Sequence, residues 1–186
     1  MLNSVYFLRH AETEVDLNIP VREWSITSEG RTESRELAST DAFGVIEGIV
    51  HSSEKKARQT ADVFAEGLDV QMYELPDFDE LRREHEKSIR EDEYRVKVRA
   101  TLTNMESNVP GWESGSEALR RFESGVKKIG LMFHRKTLLV VSHGIVLTAY
   151  FCKLKGFEAI AYERWNQLKW LSWGLVRGDR VLIDIV

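Results

Sequence analysis

Three times in this chain a short apolar run, SVYFL, GVIEGIV and TLLVV, breaks off into polar residues and then into a helical spacing of apolar positions. A strand that is apolar on both sides is buried on both faces, and a following helix carries the chain back to the end where that strand began. This order therefore specifies parallel strands joined by crossover helices. The expected fold is α/β, a mostly parallel open sheet with helices on both faces. The segment EKKARQTADVFAEG sets Ala57, Thr60, Ala61 and Phe64 on one stripe, with Ser53 as the candidate cap and Gly67 as the stop. From Ser116 a longer helix carries Leu119, Phe122, Val126, Ile129 and Phe133 at three-four spacing. The tail, LKWLSWGLVRGDRVLIDIV, has two strand-like runs around the turn signal RGD. It predicts a terminal hairpin at a sheet edge, with its tryptophans used for packing.

With 186 residues and 42% hydrophobic content, the chain suits one domain spanning residues 1–186 with an ordinary core. A charged helical insertion is expected at about residues 77–112, near the site. The net charge of -4 argues against a nucleic-acid partner, whose footprint would be a basic face. No run approaches the ~18 apolar residues of a membrane span, and Met1 leads straight into the first strand, so no membrane partner and a cytoplasmic location are expected. Cys152 stands alone in an apolar stretch and reads as a small core residue. From Asp79 to Arg99 seven acidic and seven basic side chains balance, which predicts a solvated, internally paired helical face.

VYFLRHA and LLVVSHG are both apolar runs that end in a histidine followed by a small residue. Ligand sites of open parallel sheets form beyond the carboxyl ends of the strands, which predicts that His10 and His143 share that rim. The strand GIV runs into HSSEKKAR and brings Ser52, Ser53, Lys56 and Arg58 to the same edge. Such a set suits a phosphoryl group, since the planar fork of Arg9 can bind two phosphate oxygens at once. A neutral histidine whose other ring nitrogen donates to a carbonyl keeps a lone pair able to attack phosphorus. The leaving oxygen needs a proton, which a carboxylic acid of raised pKa could give and later take from water. His51, His85 and His134 are expected to be structural.

FLRHAETE resembles the signature of the histidine phosphatase superfamily, also called phosphoglycerate mutase-like, and the likeness continues in order through SSEKKARQTADVF, PGWESGSEALRRF and LLVVSHGIVL. The resemblance implies a phosphoglycerate mutase-like fold in which His10 is the nucleophile, Arg9 a phosphate clamp and His143 a second phosphate ligand. Where the family usually has an arginine in RAxQTA this chain has Lys56, taken as the second cation, with Arg58 the alternative. Lysine is a point charge in place of a bidentate fork. Asp16 stands where many members have asparagine. Two glutamates are candidates for the proton donor. Glu84, followed by His85, resembles a pair seen in some relatives and is placed ahead of Glu80, which better fits the usual distance from the strand DVQMY. On a helix the two would share a face.

The implied function is a phosphatase acting on a small phosphorylated metabolite or phosphopeptide through a phosphohistidine, with neither metal nor cofactor. The alternatives are a phosphoglycerate mutase-type phosphotransferase, for whose lid and tail the chain looks short, and a non-catalytic phosphate or phosphopeptide binder. A metallohydrolase using His10, His143 and a glutamate is weaker, as no H-E-x-x-H motif is present. The natural substrate and the oligomeric state are left open by these motifs.

Overall fold

The computed structural model describes residues 3–66, 68–83 and 89–185. Its centre is a six-stranded sheet of β1 (Ser4–Arg9), β2 (Gly48–His51), β3 (Met72–Glu74), β4 (Thr137–Ser142), β5 (Trp173–Arg177) and β6 (Arg180–Ile183), in the order β3-β2-β4-β1-β5-β6. The first four in that order are parallel, and β5 and β6 run antiparallel as the expected hairpin at one edge. Gly178 in its turn has φ 62, a left-handed conformation that glycine adopts without strain. The described residues form six α-helices: α1 (Ser28–Ala38), α2 (Lys55–Ala65), α3 (Glu91–Thr103), α4 (Gly115–Met132), α5 (Gly144–Lys155) and α6 (Ala161–Gln167).

Strand side chains alternate between two cores. Val5, Phe7, Val50, Leu138 and Val140 pack with Phe122 and Ile129 of α4 and Leu147 and Phe151 of α5. On the other face Tyr6, Leu8, Ile49, Leu139 and Val141 pack with Ala57, Ala61 and Phe64 of α2. Helices thus cover both faces, and α5 is buried continuously from Gly144 to Cys152. No described helix is long and apolar enough to cross a membrane.

Three local expectations change. Ser53 does not cap α2. Its hydroxyl donates to Asp79 at 2.7 Å, Glu54 takes the cap position, and Gly67 lies outside the described residues. GVIEGIV is a strand only over its last residues, since β2 begins at Gly48. The charged stretch after Asp79 is not one helix either. Residues 79–83 are extended because Arg83 bridges to Trp112 and the Glu113 N–H donates to the Arg82 carbonyl at 2.8 Å, so Glu80 is not on a helix. Regular structure resumes at α3, whose outer charges pair internally, Arg95 with Glu91 and Lys97 with Glu93.

Candidate active site

Because β1 and β4 are adjacent and parallel, with Arg9 in register with Ser142, the residues that follow each strand leave the sheet side by side. The His10 and His143 rings lie 5.0 Å apart at 59°. His10 is buried, and its Nδ1 donates to the Ala11 carbonyl at 2.8 Å, which leaves the lone pair on Nε2. Burial, then the neighbouring His143, Lys56 and Arg9, hold its pKa well below the usual histidine value.

His143 is fixed by Ser52, whose Oγ lies 2.6 Å from Nε2 and accepts the Glu54 N–H at 3.1 Å. Every one of these atoms is satisfied if the Ser52 hydroxyl donates to Nε2, which puts the histidine proton on Nδ1. Among the described residues that atom is buried with no partner. Burial lowers the His143 pKa to about 3 despite the opposing pull of Glu54. The Arg9 guanidinium lies 3.9 Å from the Trp170 ring centroid and donates from Nη1 to the Leu168 carbonyl, while its Nε is buried and has no partner among the described residues. A buried donor without an acceptor costs about 1–3 kcal/mol, and the Arg9 Nε–H and the His143 Nδ1–H are two such donors among the described residues.

Lys56 is buried and faces the cavity, where Nζ donates to the Val21 carbonyl at 2.9 Å and pairs with Glu54. Arg58 is exposed and points elsewhere, as a two-residue offset on a helix requires. Glu80 is held by the first turn of α5, one carboxylate oxygen accepting the Ile145 N–H at 3.0 Å and the other the Val146 N–H at 3.3 Å. Burial raises its pKa against those bonds. Its backbone is clamped by Arg121 of α4, which donates to the carbonyls of Asp77, Asp79 and Glu80 at 3.0, 2.9 and 3.1 Å and pairs with Glu113 at 2.8 Å. Glu84 and His85 lie outside the described residues. Asp16 turns its carboxylate to the Asn18 N–H, His51 Nδ1 bonds the Ser52 carbonyl, and His134 is exposed.

Arg9, His10, Lys56, Glu80 and His143 open on one cavity of about 930 Å³. Among the described residues, no three His, Cys, Asp or Glu side chains converge to hold a metal ion. The sequence profile of the histidine phosphatase superfamily (branch 1) matches residues 5–180. The chain belongs to this superfamily. It is 26% identical over 168 residues to the adenosylcobalamin/alpha-ribazole phosphatase of Salmonella typhi, covering 83% of this chain and 81% of that protein. It is 28% identical over 172 residues to the probable phosphoglycerate mutase GpmB of Enterobacter sp. (strain 638), covering 87% and 79%. The solved structure of Bacillus stearothermophilus YhfR shares the fold with TM-score 0.80 at 19% identity, over 97% of this chain and 95% of that one.

In this histidine phosphatase superfamily member, the cavity residues that the sequence did not single out include Trp170, Glu54 and Tyr94. Trp170, expected only to pack, stacks on Arg9 with its ring 5.3 Å from that of His10. Glu54 gave a signal, being an acid inside an otherwise cationic block. Tyr94 gave none. It lines the cavity from α3, and the Arg83 guanidinium lies 4.8 Å from its ring centroid.

Proposed function

We propose that the protein is a metal-independent phosphomonoester hydrolase that works through a phosphohistidine on His10. The observation that carries this reading is the pairing of a free His10 Nε2 with two buried donors, on Arg9 and His143, that have no partner among the described residues, at one cavity. Nε2 attacks phosphorus, the ester P–O bond breaks, and the leaving oxygen takes the proton of the Glu80 carboxyl group. Its Nδ1–H bond to Ala11 steadies the imidazolium while the phosphoryl group is attached. Water then attacks phosphorus and gives its proton to the Glu80 carboxylate, the P–N bond breaks, and inorganic phosphate leaves. Arg9, Lys56 and the His143 Nδ1–H stabilise charge on the equatorial oxygens, the main demand of phosphoryl transfer.

Glu80 is assigned the acid–base role because it is buried at the cavity with a raised pKa, which suits an acid that must stay protonated before the reaction. The segment of about residues 77–112 contributes Glu80, Arg83 and Tyr94 to the cavity, so we assign it to recognition of a small phosphorylated substrate. A chromogenic aryl phosphate tests the reading. Phosphate release that survives chelator, with phosphoenzyme trapped by alkaline quench and absent in His10→Ala, is the expected result. Turnover abolished by chelator, or retained in His10→Ala, would overturn it.

A further inference from the structure

Glu54 puts a carboxylate inside a site that otherwise gathers positive charge. It is 8% exposed, and one oxygen pairs with Lys56 Nζ. The other accepts the Glu80 N–H at 2.9 Å and lies 3.6 Å from His143 Nε2. Burial alone would raise its pKa, but Lys56 and its hydrogen bonds hold it far below the usual carboxylate range. Two of the three donors of the Lys56 ammonium go to Glu54 and to the Val21 carbonyl, so one remains for a ligand. With both histidines neutral, Arg9 and Lys56 bring two positive charges to the phosphate position and Glu54 removes one. A phosphoryl group near neutral pH carries about -1.5 to -2.

We propose that Glu54 is an internal counter-anion that trims the charge of the phosphate position, so that the site binds the phosphoryl group and inorganic phosphate weakly and releases its product readily. The proposal rests on reading this part of the cavity as the phosphate position. It favours hydrolysis over mutase chemistry, because a mutase must hold its phosphoryl group until the product has turned over in the site.

A purely structural Glu54 would serve only as an acceptor for the Glu80 N–H and a partner for Lys56. Glu54→Gln keeps an acceptor oxygen and removes the charge. Equilibrium binding of inorganic phosphate, measured by calorimetry on the whole protein, separates the two roles. Glu54→Gln should bind phosphate at least tenfold more tightly than the wild type. Lys56→Met, which leaves Glu54 uncompensated, should bind at least tenfold more weakly, and the double variant Glu54→Gln/Lys56→Met should fall between them. Phosphate bound no more tightly by Glu54→Gln would overturn the proposal. If that single variant does not fold, the comparison of Lys56→Met with the double variant decides, equal affinities overturning the proposal and a tighter double variant supporting it. The measurement needs no turnover, so failure to hydrolyse any ester would defeat the hydrolase reading while phosphate binding still decides the role of Glu54.

Discussion

At the scale of single residues, the proposed chemistry depends on which nitrogen of His10 is free. The Ala11 carbonyl takes the Nδ1 proton, so the nucleophile is set before any substrate arrives. His10→Ala should lower phosphate release by at least about a thousandfold, read against the wild type with an aryl phosphate. Glu80→Gln should act selectively. An alkyl phosphate, whose leaving oxygen needs a proton, should slow by about a hundredfold or more, and an activated aryl phosphate much less. Equal slowing of both esters would remove Glu80 from the acid role. The pH profile has a definite sign, because burial raises the Glu80 pKa. The rate with alkyl esters should fall as pH rises through that value, and the same limb should be missing from Glu80→Gln. Both rim histidines were legible from apolar runs that end in a polar residue. Lys56 is preferred over Arg58 from the motif, and which of the two faces the cavity is set by what the helix packs against.

At the scale of elements, α4 does more than fill one face of the sheet. A capping box starts it, the Ser114 hydroxyl accepting the Glu117 N–H and the Glu117 carboxylate reaching back to the Ser114 N–H. Ser114→Ala should lower stability by about 1 kcal/mol in urea denaturation. Arg121, on the same helix, clamps the extended segment that carries Glu80 and neutralises Glu113, both side chains being nearly buried. Arg121→Met should cost about 3–5 kcal/mol by stranding the Glu113 carboxylate, and adding Glu113→Gln should restore part of it. The same urea titration reads both variants, and a neutral single variant would show that the pair does not hold this segment. The stripe of α4 was visible in three-four spacing, which is local. The extended course of residues 79–83 was not, because it comes from a bridge to Trp112 and from Arg121, both distant in sequence.

For the molecule as a whole, the buried histidines tie stability to pH. His143, at about 3, and His10 both have pKa values in the folded protein below the ~6.5 of the unfolded chain. As pH falls below about 6.5 the unfolded state binds protons that the folded state refuses, so stability is full above that pH and declines toward 3. Glu80, with its raised pKa, works in the opposite direction and offsets part of the loss. Between pH 6.5 and pH 5 the loss from His143 is about 2 kcal/mol and His10 adds to it in the same direction, so the thermal midpoint should drop over this interval and drop less in His143→Asn. A midpoint independent of pH from 7 to 5 would contradict the buried, neutral pair. The alternation of strands and helices, the terminal hairpin and the two histidines at one rim are legible in the order of residues, because burial of strands and periodicity of helices are written over a few neighbouring residues. The places of Glu54 beside Lys56 and His143, of Trp170 on Arg9, and of Glu80 on the first turn of α5 are not written locally. Those contacts depend on the direction of side chains brought together by packing between distant segments.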